Sequence, residues 1–120
     1  MGTTCHVLVV DDEPGVLHFV KSGLSLSGFE VTTTTSGEEA LQLLQVIKPD
    51  VVLLDILMSP TSGFDVLSRM RSFTDIPVIV FTARSDIGEL ALKEGANSVI
   101  SKPFKPDALI KKIKETLKSY

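Results

Sequence analysis

The chain is short of cysteine, of histidine and of surplus positive charge, and each shortage narrows what it can be. One of its 120 residues is a cysteine, Cys5, so no intramolecular disulfide braces the fold. A lone cysteine suits a reducing cytoplasm, and Cys5 reads as a small core hydrophobe rather than a reactive thiol. The two histidines, His6 and His18, have no ligand-like neighbours and read as surface or satisfied residues. Twelve basic residues stand against 15 acidic ones, a net charge of −3, so no overall basic field draws nucleic acid. The longest apolar runs are about four residues, far short of a membrane span. No basic stretch leads into an apolar one as in a secretory signal. A Gly-x-x-x-x-Gly-Lys-Ser/Thr stretch is also missing, which excludes a P-loop nucleotide site.

What is present is enough apolar material for one core. At 43% hydrophobic content, residues 1–120 are expected to form a single domain with no second one following. Five short apolar runs read as strands: "HVLVV" (6–10), "FEVTTT" (29–34), "VVLLD" (51–55), "PVIVF" (77–81) and "SVIS" (98–101). Three are apolar throughout, as parallel strands covered on both faces require. Helical spacing fills the gaps. Val16, Val20 and Leu24 follow Pro14, and Ser36 with Glu39 makes a capping box ahead of Ala40, Leu44 and Ile47. Phe64, Leu67 and Met70 follow Gly63, and Ile87, Leu90 and Ala91 precede a closing Gly95. Met58 and Met70 are taken as core. The last helix carries Leu109, Ile110, Ile113 and Leu117 inward and Lys111, Lys112, Lys114 and Lys118 outward. Five alternating β–α units imply an α/β fold, a parallel sheet with right-handed crossovers and helices on both faces.

In such a sheet, ligands bind beyond the C-terminal ends of the strands. Those ends hold Asp11 and Asp12, then Asp55, then Thr82 with Ala83, then Lys102 with Pro103. Each has an ordinary reading: Asp12 as a cap for the first helix, Thr82 as a cap for the fourth, Lys102 as a solvated cation. Their recurrence at four strand ends points instead to one site. Crowded carboxylates must bind a cation or hold a proton, and oxygen ligands without His or Cys suit Mg²⁺. Asp55 is then placed as a nucleophile toward a phosphoryl group, with Thr82 and Lys102 to meet its oxygens.

Over almost its whole length the sequence resembles the receiver domains of bacterial two-component response regulators. The resemblance rests on "VLVVDDEP", "KPDVVLLDILM", Gly63 eight residues past Asp55, "IPVIVFTA", "EGA" and "SKPF". It implies a flavodoxin-like three-layer sandwich with strand order 2-1-3-4-5, the order the general rule for this fold gives for a member of the same family. It implies Asp55 as phosphoacceptor from a sensor histidine kinase or phosphotransfer protein, in a chain that assists its own phosphorylation and dephosphorylation without being an enzyme. Asp12, Asp55 and the Leu57 carbonyl would ligate Mg²⁺, with Asp11 acting through water. Thr82 and Lys102 would contact the phosphoryl group, Leu57 and Arg84 would flank it, and the Lys102–Pro103 bond would be cis. The implied setting is cytoplasmic, with no membrane contact, no direct nucleic-acid binding by this domain and a switched surface for a downstream partner or output domain.

Three positions depart from the family. Ser59 stands where proline is usual, with Pro60 behind it. Val99 replaces an aromatic residue three before the lysine, and the stretch from Thr82 to Gly95 is about two residues short. A flavin-binding relative is disfavoured because "DDEPG" would repel a phosphate. A haloacid-dehalogenase-type phosphatase would carry its nucleophile after the first strand in an Asp-x-Asp pair. The remaining rival is a protein-interaction domain that keeps the fold but is not phosphorylated.

Overall fold

The computed structural model describes residues 4–58 and 60–119, which leaves Ser59 and Tyr120 outside the described residues. Strands β1 (His6–Val10), β2 (Glu30–Thr34), β3 (Val51–Asp55), β4 (Val78–Thr82) and β5 (Ser98–Ser101) alternate with helices. These are α1 (Pro14–Leu26), α2 (Gly37–Ile47), α3 (Gly63–Arg71), α4 (Ser85–Lys93) and α5 (Pro106–Ser119). All pairings are parallel, in the order β2-β1-β3-β4-β5. The chain leaves β1 toward β2 and returns past it to β3. The connection leaving β1 runs to β2 and that leaving β3 runs to β4, so they part on either side of a crevice between β1 and β3, the topological switch point of this fold.

Alternate residues of the central strands feed two apolar layers. Leu8, Val10, Val52, Leu54 and Val80 meet Leu44, Val66, Leu67, Met70 and Ala91, from α2, α3 and α4. Val7, Val9, Leu53, Ile79 and Phe81 meet Leu17, Val20 and Leu24 of α1 and Leu109 and Ile113 of α5. Each fully buried side chain of this size contributes about 1.5–3 kcal/mol. Met58 and Met70 are buried as expected. His6 is satisfied by Thr32 at 2.7 Å, and His18 is exposed. Cys5 is half-buried beside the α1/α5 layer rather than enclosed in it.

Several local expectations are corrected. β4 starts at Val78, not Pro77, because proline has no N–H for the ladder; the Pro77 carbonyl still accepts from Val52. β2 starts at Glu30. At α2, the Ser36 hydroxyl accepts from the Glu39 N–H at 3.1 Å, but the Glu39 carboxylate does not return to Ser36. It takes the Thr34 hydroxyl at 2.5 Å, while the Ser36 N–H donates to that same Thr34 oxygen at 3.1 Å. The buried Thr34 thus turns a two-residue box into a three-residue relay. Leu90 is 45% exposed, and α4 packs through Ala91, Ile87 and Gly88 instead. A Cβ on Gly88 would lie 2.8 Å from Val99 Cγ1, so α4 rides directly on β5. On α5, Lys112 is half-buried, and buried Thr116 joins the inner face through Ser98 at 2.7 Å.

At the N-terminal edge of the sheet one side chain ties three segments together. Arg71 donates from Nε to the Gly95 carbonyl (3.1 Å) and from Nη1 to the carbonyls of Thr74 (3.2 Å) and Ile76 (2.9 Å). Its Nη2 donates to Asn97 Oδ1 at 2.9 Å, an oxygen that also receives the Val78 N–H. Gly95, at φ 116°, supplies the left-handed turn that brings its carbonyl there.

Candidate functional site

The acidic residues converge because their strands are neighbours. Asp11 and Asp12 leave β1 beside β3, which ends in Asp55, and one oxygen from each of the three lies within 4.8 Å of the others. Asp55 pairs in register with Phe81 of β4, and Phe81 pairs with Ile100 of β5. Register partners share a face, and Phe81 and Ile100 both belong to the α1/α5 layer, so Asp55 emerges on that side. The loop behind it is held close. The Gly63 N–H donates to the Ile56 carbonyl at 3.0 Å, and a Cβ on Gly63 would fall 2.4 Å from the Asp55 carbonyl oxygen. Only glycine fits there.

Asp11 is fully buried and Asp55 nearly so, while Asp12 is half-buried. Asp11 Oδ1 accepts the Glu13 N–H at 2.8 Å, and Asp55 Oδ1 accepts the Leu57 N–H at 3.1 Å. Lys102 Nζ reaches their other oxygens, Asp11 Oδ2 at 3.4 Å and Asp55 Oδ2 at 3.6 Å. Both distances exceed the ~2.7–2.9 Å of a close charge-assisted bond. Burial pushes the Asp11 carboxyl up to about 6; the Glu13 N–H and Lys102 oppose that rise and the Asp55 charge adds to it. Lys102 thus stands between two members of a cluster of three carboxylates. Their donor set is all oxygen, which fits a hard divalent cation such as Mg²⁺.

Thr82 ends β4 inside the strand, 3% exposed, and the Lys102 N–H donates to its carbonyl at 3.0 Å. Its hydroxyl accepts from the Arg84 N–H at 3.2 Å, which uses a lone pair and leaves its proton for an incoming oxyanion. The ordinary readings fall away. The N-cap of α1 is Glu13 rather than Asp12, that of α4 is Arg84 rather than Thr82, and the Lys102 side chain is only 23% exposed. Arg84 does not turn toward the carboxylates in this structure. Its guanidinium is held by Asp86 at 2.7 Å on the surface, an interaction that raises the arginine and lowers the aspartate from their usual ranges. Leu57, two residues past Asp55, is 52% exposed. Lys102–Pro103 is cis. Gly15, Val16, Phe19, Ala83, Pro103 and Phe104 line a groove of about 450 Å³ that opens beside Lys102.

One neighbour escaped the sequence reading. Lys102 Nζ stands 4.8 Å from the centroid of the Phe81 ring. That ring meets Phe104 edge to face, centroids 5.9 Å apart and planes at 87°. The available signal was an aromatic residue immediately before Thr82, indistinguishable in sequence from ordinary core.

Comparisons with known proteins agree on one family and fold. The model of the response regulator receiver domain matches residues 7–114. The "probable transcriptional regulator ycf27" of Cyanophora paradoxa is 38% identical over 114 residues, covering 93% of this chain and 48% of that protein. The heme response regulator HssR of Staphylococcus aureus is 36% identical over 115 residues, 94% of this chain and 51% of that one. The chain thus spans about half the length of the curated relatives it matches. Among solved structures, the chemotaxis protein CheY4 of Vibrio cholerae superposes with a TM-score of 0.87 at 29% identity, covering 95% of this chain and 99% of that chain.

Proposed function

Because the chain belongs to the response regulator receiver domain family of two-component systems, we propose that Asp55 accepts a phosphoryl group from the phosphohistidine of a sensor histidine kinase or phosphotransfer protein. The observation that carries this reading is the meeting of Asp11, Asp12 and Asp55 within 4.8 Å with Lys102 beside them. An Asp55 carboxylate oxygen attacks phosphorus, the P–N bond breaks with its electron pair going to the imidazole, and an acyl phosphate forms on Asp55. Lys102 and the Thr82 hydroxyl receive the transferred oxygens. Return is by water attack on phosphorus, which breaks the P–O bond, releases inorganic phosphate and regenerates the carboxylate. Asp11, Asp12, Asp55 and the Leu57 carbonyl would hold Mg²⁺, whose charge offsets that of the carboxylates and phosphoryl oxygens.

The domain assists both steps on itself and turns over no separate substrate, so its output is a changed partner surface rather than a product. Incubation with Mg²⁺ and radiolabelled acetyl phosphate tests the reading. Wild type should take up acid-stable, base-labile label and Asp55→Asn none, with the circular dichroism of the two proteins unchanged. Label of equal extent on Asp55→Asn would move the acceptor elsewhere. An unlabelled wild type would instead favour a fold-retaining interaction domain.

A further inference from the structure

Phe81 is 1% exposed, and burial alone would explain a phenylalanine in a core strand. Three further observations are not explained by burial. Its register partner is Asp55, so the ring lies beside the acceptor carboxylate on the same face of the sheet. Its π-face carries the Lys102 ammonium at 4.8 Å. Its orientation is set by Phe104, two residues past Lys102, packed edge to face against it. A lysine ammonium is a point charge on a flexible four-carbon stem. Its hydrogen bond to Asp11 is long, at 3.4 Å, and Asp55 at 3.6 Å is an ion pair only, so the carboxylates alone hold it loosely. A ring face under a cation attracts it without competing for its N–H donors.

We propose that Phe81 is a positioning residue for Lys102. Its ring holds the ammonium where it meets the phosphoryl oxygens during transfer to Asp55. The inference rests on Asp55 being the phosphoacceptor. As Lys102 exchanges Asp55 for phosphoryl oxygens the ring contact persists, so the ammonium shifts by a short swing and is not released to solvent. An aliphatic residue at 81 keeps the position apolar and leaves the charge unguided.

The test combines a spectroscopic and a kinetic readout on Phe81→Leu and Phe81→Met. In metal-free wild type the Lys102 Cε protons should resonate upfield of ordinary lysines because they lie over the ring, and in both variants they should return to the ordinary position. Initial rates of labelling from acetyl phosphate should fall about 3- to 10-fold in both variants, the span expected for one partly desolvated cation–π contact. Introduced into Lys102→Met, neither change should slow labelling further, whereas a merely structural role would give the same slowing in either background. Variants labelled at the wild-type rate, equal slowing without Lys102, or ordinary Lys102 shifts in wild type would each overturn the inference. Absence of label on wild type would overturn the phosphoacceptor reading as well, an outcome distinct from any of these.

Discussion

Two cations sit at opposite edges of the same sheet and are treated in opposite ways. Arg71, at the N-terminal edge, donates at close range to four oxygens: the carbonyls of Gly95, Thr74 and Ile76 and the side-chain oxygen of Asn97. Its planar fork matches them, and each bond lies between 2.9 and 3.2 Å. Lys102, at the C-terminal edge, faces two buried carboxylates at longer range, with Asp12 as a third close by. One edge is closed by satisfied hydrogen bonds. The other gathers like charges, whose repulsion a bound cation would offset. On the proposed function, stability and chemistry are thus assigned to different ends of the strands, a division that can be tested.

The largest effect is expected at the closed edge. Arg71→Ala removes the donors of several carbonyls at once and should destabilise by about 2–4 kcal/mol, read as a lowered urea midpoint. Arg71→Lys should recover less than half of that loss, because an ammonium cannot span the same acceptors. Labelling of Asp55 below the melting transition should be unchanged. A parallel collapse of labelling would show the two edges to be one coupled unit.

At the open edge the sign should reverse. Asp11→Asn keeps an oxygen for the Glu13 N–H and removes a buried charge, so the metal-free variant should be more stable than wild type near neutral pH, by about 1–3 kcal/mol. The pH dependence follows from Asp11 titrating at about 6 in the fold against an ordinary 3.8. Folded protein binds this proton more tightly than unfolded chain. Its contribution is fully present below about 3.8 and is lost as pH rises through about 6. Wild type and Asp11→Asn should therefore converge in stability near pH 4 and diverge above pH 6. Added Mg²⁺ should stabilise wild type more than the variant. A variant less stable than wild type at neutral pH would mean that Asp11 is a net structural asset.

The smallest effect concerns the lifetime of the phosphoryl group. Leu57 cannot hydrogen-bond a water beside Asp55, and half of it is exposed, so self-dephosphorylation should be slow. Leu57→Asn should change the hydrolysis rate by a few-fold, about 1 kcal/mol or less in barrier, without moving the urea midpoint. Unchanged hydrolysis would show that other groups govern water access.

The alternation of apolar runs and helical spacing announces the layers, and the strand ends announce Asp11, Asp12, Asp55, Thr82 and Lys102. Both signals are local, and the topological rule brings them together. What stayed hidden depends on contacts between distant residues. Arg71 reaches Gly95 and Asn97, 24 and 26 positions away, and nothing near it in sequence marks it as different from Arg69. The Thr34 relay depends on a strand end swinging its hydroxyl under the next helix. Phe81 looks like core because it is core, and its second duty appears only when a lysine 21 positions later lands on its face. Leu90 misled for the reverse reason: helical spacing gives a stripe, but the stripe α4 uses is set by which residues let it approach β5.

That approach has its own consequence. Gly88 and Val99 draw on a single allowance of space, since a Cβ at 88 would already press on Val99 at 2.8 Å. The usual ring on this strand and a helix seated this close are alternative ways of filling one volume. Enlarging either residue would oblige α4 to stand off from β5, as overpacked cores force their backbones apart. The gap between helix and strand is therefore a gauge set jointly by positions 88 and 99, and a ring restored at 99 would carry with it a new resting position for the whole helix.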